Sequence, residues 1–369
     1  MEHVVCIDGT GNDPDQKDQD PLSLGEFAVQ TNVLVAWSGL TGVTKPPDPL
    51  PPEGAVAPLS SRPGLALYLP GVGTQGWRSL FQKAIGSGTS QRICVAYRFL
   101  AESCSAQDRL FCFGFSRGAF AVRSLAGFLE HVGLPLQRGP MDLAEVDRLY
   151  RIYTSRQPFD KSAAHHRSAN VHFLGLWDTV GALLSRQENH RISPPNIGFV
   201  AHALALDEIR PSFNLELWDP GSLPPDRVAE VWFAGVHSNV GGGYTDHNLS
   251  NIAFFWVMRV AEFHGLPIDL PSMQRWAIEN SGMALRQSAT APWRLLDAIR
   301  DLLSHSNRRT AIRTIQEGQR IHQSVFERMQ NVAVIPPYTP TATNPLIPNF
   351  WGQFQNPIEL QKWLEDWNC

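Results

Sequence analysis

The sequence predicts an α/β fold: a mainly parallel sheet with helices on both faces. Short runs that are apolar throughout, rather than alternating, recur along the chain. Segments with apolar residues at helical spacing lie between or after them, and each run ends in a polar or glycine-rich turn. Strands that are apolar on both faces must be covered on both faces, which is the pattern of strand–helix repeats building a parallel sheet.

The strand-like runs are residues 3–7, 65–69, 110–113, 171–176 and 230–234. Helical spacing marks residues 26–38, 91–103, 119–131 and 249–264. In such sheets ligands bind beyond the carboxyl ends of the strands, and Asp8, Ser116, Asp178 and His237 all sit there. Three segments interrupt the alternation and are expected to be inserted loops or cap pieces of one domain spanning 1–369. Residues 39–64 hold seven prolines between Pro46 and Pro63, which suits an irregular surface loop. Residues 135–170 carry a helix over 143–153 and then His165 and His166. Residues 270–330 carry an amphipathic helix with Trp293, Leu296, Ile299 and Leu303, then a basic stretch with Arg308, Arg309, Arg313 and Arg320. The tail is proline-rich and ends in an aromatic helix with Trp363 and Trp367.

Composition narrows the function. A chain of 369 residues that is 43% hydrophobic can bury a sizeable core. A net charge of −4 provides no broad basic surface, so nucleic acid is not expected as a partner. There is no apolar run of transmembrane length. The first strand begins at residue 3 and leaves no room for a signal peptide, so synthesis in the cytoplasm is expected, with any export left to a signal-independent machine. Cys6, Cys94, Cys104, Cys112 and Cys369 show no metal-ligand spacing and suit reduced thiols. No metal and no cofactor are expected.

The run from Phe111 to Phe120 contains Gly114-Phe115-Ser116-Arg117-Gly118, a Gly-x-Ser-x-Gly pattern between a strand and a helix. In that context the serine is a candidate nucleophile on a sharp turn whose glycines make the turn fit. A serine hydroxyl needs a base, and the base needs an orienting acid. Asp178, directly after the run 171–176, and His237, in a loop with three consecutive glycines, follow in the order Ser, Asp, His. Asp178 is alternatively a helix cap before Thr179; Asp246 is the reserve acid, and His247 and His322 are the competing bases. The oxyanion formed in ester cleavage needs two backbone N–H donors. One is expected from Arg117, the other from Gly9 or Thr10 in the turn after the first strand, unless that segment is simply an Asp-Gly turn with no catalytic part. Asp8-Gly9-Thr10 does not complete an aspartate-nucleophile phosphatase motif, because Cys6 stands where the second aspartate belongs, and the aspartates of residues 13–20 lack EF-hand spacing.

Taken together, Ile7-Asp8-Gly9-Thr10, residues 68–74, Gly114 to Ala119, Gly175 to Gly181, and Gly235-Val236-His237-Ser238 with its following glycines resemble an α/β-hydrolase family long of unknown function. That family includes phospholipase effectors of the bacterial type VI secretion system. The resemblance spans roughly residues 3–340, and Arg320 to Val325 also resembles it. It implies a Ser116–Asp178–His237 hydrolase. The chain departs from it at Asn239 and Asn251, where many relatives carry aspartate, and is expected to do without the long membrane-anchoring extension of the large effectors.

The expectation is therefore a serine hydrolase that cleaves carboxylic esters of lipids or other acyl chains through an acyl-enzyme. Phe115, Trp77, Leu296 and Leu303 are candidate substrate contacts, the last two on a helix bordering the cleft. A lipid or small ester is the expected substrate, with peripheral membrane contact and, for an effector, a secretion or immunity partner. A hydrolase of amide or phosphodiester bonds, and an inactive binding protein on the same fold, are the rival classes.

Overall fold

The computed structural model describes residues 1–9, 30–47, 50–71, 87–181, 192–244, 247–268, 312–316, 319–330 and 339–342. Its main sheet contains β1 (Glu2–Ile7), β2 (Ala55–Pro58), β3 (Gly64–Leu69), β4 (Arg109–Phe115), β7 (Val171–Trp177), β8 (Ile197–Ala205), β9 (Val228–Phe233) and β10 (Arg320–Ile321). A separate two-stranded ribbon pairs β5 (Leu134–Pro135) with β6 (His166–Arg167). The sheet order is β10-β9-β8-β7-β4-β1-β3-β2. Every neighbouring pair is parallel except β2–β3, the antiparallel edge.

The helices are α1 (Asn32–Thr41), α2 (Ser87–Ser103), α3 (Arg117–Val132), α4 (Leu143–Thr154), α5 (His237–Gly241), α6 (Asn248–Phe263) and α7 (Gln323–Gln330). Alternation along each strand sorts the core into two layers, because successive side chains point to opposite faces. On one face Val4, Cys6, Phe111, Phe113 and Trp177 pack with Val33 and Trp37 of α1 and Phe254 and Val257 of α6. On the other, Val5, Ile7, Cys112, Leu174 and Leu176 pack with Tyr97 of α2, Leu125 and Phe128 of α3, and Leu149 of α4. The mainly parallel sheet covered on both sides is thus observed. The five expected strands and the helices at 91–103, 119–131, 143–153 and 249–264 are all present within a few residues of their expected ends. The first expected helix starts at Asn32, where the Thr31 hydroxyl accepts the Leu34 N–H as its cap, rather than at residue 26.

Three strands of the main sheet, and the β5–β6 ribbon, were not anticipated. β2 lies inside the proline-rich segment 39–64 and forms the sheet's edge, where proline is tolerated. β10, within the segment expected to be a cap, extends the other edge of the sheet. There Ile315, Ile321 and Val325 pack a small core on Trp232. Most consequential is β8, a fully paired central strand between β7 and β9. Its sequence, Ile-Gly-Phe-Val-Ala-His-Ala-Leu-Ala, is rich in alanine and holds a glycine and a histidine, residues with little intrinsic strand preference. Thr10, Trp77, Asp246, Trp293, Leu296 and Leu303 lie outside the described residues.

Candidate active site

β4 runs straight into α3 with Ser116 at the junction. Ser116 has φ 58° and ψ −124°, a backbone conformation L-residues rarely adopt. Holding it costs on the order of 1–3 kcal/mol, which the surroundings must supply. Ser116 donates its N–H to Trp177 O (3.0 Å) and accepts from Phe120 N (3.2 Å) and Val180 N (3.3 Å). The serine is therefore pinned to the end of β7 and to the chain just past Asp178. Both motif glycines are dictated by close approach. A Cβ on Gly118 would lie 2.0 Å from Ile7 O, and one on Gly114 would lie 2.6 Å from Gly118 O. Any side chain would push α3 off the sheet.

Asp178 follows β7 directly. It is fully buried and adopts φ 43°. Residues 178–181 are not helical, so Asp178 is not the cap of a helix at Thr179. Its Oδ2 receives His237 Nδ1 at 2.6 Å. Because a carboxylate only accepts, Nδ1 carries the hydrogen and Nε2 keeps its lone pair, the tautomer a base needs in order to take a hydroxyl proton. Burial opposes ionisation of Asp178, but the Arg313 charge and the His237 hydrogen bond outweigh it and hold the carboxyl well below its usual range. Burial also lowers the His237 pKa, against the raising effect of Asp178, so the imidazole is neutral at pH 7. Its ring packs on Phe115 (centroids 4.5 Å apart) and edge-on to Phe213 (4.7 Å). Of the competing bases, His322 bonds Ser324 Oγ at 2.9 Å near the sheet edge, and burial pushes it down to about 4. His247 sits at the N-terminal end of α6.

The end of the unanticipated strand β8 assembles this half of the site. Ala205 N–H donates to Asp178 Oδ1 (2.9 Å), and Asp178 N–H donates to Ala203 O (2.8 Å). Just beyond β8, Asp207 Oδ2 accepts Gly235 N–H (2.7 Å) and Glu208 Oε2 accepts His237 N–H (3.2 Å), so two adjacent carboxylates hold the histidine loop. Glu208 is paired with Arg210 at 2.8 and 2.9 Å, and Arg210 lies 3.4 Å over the Phe213 ring. Asn239 Oδ1 accepts Val236 N–H (3.2 Å) at the start of α5. The acceptor oxygen that an aspartate would offer there is thus retained. Behind Asp178, Thr179 N–H donates to His202 Nε2 (3.2 Å), which leaves His202 Nδ1–H for Glu230 Oε1 (3.1 Å). Arg313 approaches Asp178 from outside the strand–helix alternation. The sequence marked it only as one of several basic residues.

Two expectations need correction. Gly9 N–H donates to Asp8 Oδ1 at 2.7 Å, so it is engaged with its own turn rather than facing an oxyanion. The Asp8 carboxylate also receives Thr31 Oγ1 (2.6 Å) and Tyr68 OH (3.0 Å), which makes Asp8 the organiser of that turn. Phe115 is buried with its ring against His237, so it leaves almost no surface of its own for a substrate. Arg117 begins α3, and burial pulls its guanidinium down to about 10. Among the described residues, His3, Cys104 and Asp108 bring potential metal-ligating atoms within 4.8 Å of one another. Asp108 already bonds the Met1 ammonium and Ser105 N–H, both at 2.8 Å, at the start of β1 and β4, so the cluster ties down the far end of the sheet.

A covered parallel sheet, with a strained serine at a strand–helix turn and a hydrogen-bonded Asp–His pair beyond the neighbouring strands, places the chain in the α/β-hydrolase-like class. A family model for the catalytic domain of Tle1-like phospholipase effectors of the type VI secretion system matches residues 2–260, and the chain belongs to that family. An uncharacterized protein of Saccharomyces cerevisiae is 27% identical over 190 residues, covering 42% of this chain and 27% of that protein. The crystal structure of an uncharacterized protein from Pseudomonas aeruginosa shares 18% identity with a TM-score of 0.41, over 74% of this chain and 47% of that one. The structure of the Tle1 effector bound to the VgrG spike shares 20% identity with a TM-score of 0.38, over 66% of this chain and 51% of that one. The chain thus spans about half the length of these solved structures and about a quarter of the yeast protein. No helix among the described residues is long and apolar enough to cross a membrane.

Proposed function

We propose that the protein is a serine hydrolase of lipid acyl esters, phospholipids being the class its family points to. Ser116 attacks the ester carbonyl, His237 takes the serine proton at Nε2 and later returns it to the leaving alcohol, and Asp178 holds the imidazole and stabilises its charged form. An acyl-enzyme on Ser116 is then hydrolysed by water through the same base. Arg117 N–H is one donor to the oxyanion. The observation that carries this reading is the 2.6 Å Asp178–His237 bond, made beside the strained turn that holds Ser116. As an effector-family member, the chain would also have a secretion partner that carries it to target membranes.

The test is acid-quench mass spectrometry during turnover of a short p-nitrophenyl ester, followed by a phospholipid panel. An acyl adduct on the peptide containing Ser116, absent in Ser116→Ala, is expected. Hydrolysis with no adduct, or an adduct on another residue, would overturn the assignment.

A further inference from the structure

The guanidinium of Arg313 is buried and spends its donors on the acid half of the site. Nη1 donates to Asp178 Oδ1 and to Ala205 O (2.8 Å); Nη2 donates to Asp178 Oδ2 (3.0 Å) and to Phe213 O (3.4 Å). The Asp178 carboxylate therefore has four donors: both arms of the Arg313 fork, Ala205 N–H on Oδ1 and His237 Nδ1–H on Oδ2. Four is about all a carboxylate accepts. Its plane cannot turn without breaking a bidentate, charge-assisted pair. The two carbonyls that Arg313 also holds belong to the end of β8 and to Phe213, which packs against the His237 ring.

The charge matters as much as the geometry. A lone buried carboxylate beside an imidazole draws a proton onto the ring, because an ion pair is the cheaper buried state. An imidazolium cannot accept the serine proton. With Arg313 in place, Asp178 is already half of an ion pair. The other charges at His237 are Glu208 and Arg210, likewise paired with each other, while His202 stands behind Asp178 through Thr179. Asp178 and Glu208 thus each have an arginine of their own, while Asp207 accepts the Gly235 and Thr341 N–H groups.

We propose that Arg313 is a positioning residue of this site. It locks the Asp178 carboxylate in the plane that faces His237, and its compensating charge keeps the His237 imidazole neutral in mildly acidic solution. The proposal rests on the Ser116–Asp178–His237 reading for its effect on rate, but not for its effect on the histidine.

The test compares wild type with Arg313→Met and Arg313→Lys by two readouts. One is the pH profile of kcat/KM on a short ester; the other is an NMR titration of the His237 imidazole in histidine-labelled protein, assigned by loss of the signal in His237→Gln. In Arg313→Met the acid limb and the His237 titration should both move up by about one pH unit or more. Arg313→Lys keeps the charge but not the fork, so its His237 titration should stay near wild type while plateau turnover falls about tenfold or more. A folded Arg313→Met protein whose His237 titrates as in wild type would reduce Arg313 to a structural strut. Full plateau turnover in Arg313→Lys would refute the positioning role even if Arg313→Met fails to fold. A wild type that cleaves no ester would instead sink the hydrolase reading, and the NMR titration would still decide the Arg313 proposal.

Discussion

The serine half of the candidate site and the Asp–His half are built in different ways. Ser116 is positioned largely by a contiguous stretch of chain, with β4 before it, α3 after it and glycines at 114 and 118, and its turn is fastened to the rest of the sheet through backbone bonds to Trp177 and Val180 and the close approach of Gly118 to Ile7. Asp178 and His237 are positioned by groups far away in the chain. Ala205 lies 27 residues from Asp178, His237 lies 59 residues from it and Arg313 lies 135 residues from it, and each hydrogen-bonds its carboxylate. A local device tolerates change elsewhere but not inside its short motif. A device assembled from distant segments can be damaged from many places, each with a smaller effect.

That contrast ranks the expected losses. On the proposed mechanism Ser116→Ala should lower turnover on the order of a million-fold with the melting temperature unchanged, since the hydroxyl would serve the chemistry and not the folding. Circular dichroism and ester hydrolysis on the same sample check it; more than a few per cent of residual activity contradicts it. Asp178→Asn should cost roughly ten-thousand-fold by favouring the wrong histidine tautomer. Unlike the serine change, it should also destabilise the fold, by on the order of 3 kcal/mol, since it strands a buried arginine. Equal melting temperatures for the two variants would erase the distinction between the halves.

Much of this contrast could be seen in the sequence itself. The elbow was legible because strand, glycines, serine and helix are contiguous. Asp178 and His237 were legible from their places after apolar runs and from their order. β8 was not, because Ala201, Ala203 and Ala205 give little strand signal, and its place in the sheet comes from backbone pairing with β7 and β9. With β8 went Asp207 and Glu208, which hold the histidine loop. Arg313 was visible only as one arginine in a basic stretch, since nothing local announces a partner 135 residues away. Gly9 shows the limit of a local motif: the sequence left its turn open between an oxyanion donor and a plain Asp-Gly turn, and its N–H is taken by the Asp8 carboxylate.

Two smaller effects sharpen the comparison. Glu208→Ala removes the acceptor of His237 N–H and the partner of Arg210, at a site no motif contains. Losing a buried, charged hydrogen bond is worth roughly 1.5–3 kcal/mol, so turnover should fall about ten- to a hundredfold with Ser116 still reactive; steady-state kinetics with fluorophosphonate labelling would show it. The pH profile supplies the mildest test. The proposed mechanism requires neutral His237, so rate should rise with pH through its pKa. Burial lowers that pKa, so the half-maximum should fall below the ordinary histidine value of about 6.5. An acid limb centred above 7 would mean that Asp178 dominates over burial.

The central claim is that the two halves meet, with His237 activating Ser116 through Asp178. The most direct measurement is the second-order rate of fluorophosphonate labelling, mapped by peptide mass spectrometry, in wild type, His237→Ala and Asp178→Asn. The account predicts a single label on Ser116, formed at least a thousandfold more slowly in His237→Ala and intermediate in Asp178→Asn, given the cost of removing members of such a unit. Labelling of Ser116 at an undiminished rate without His237, or a label on a different residue, would contradict it.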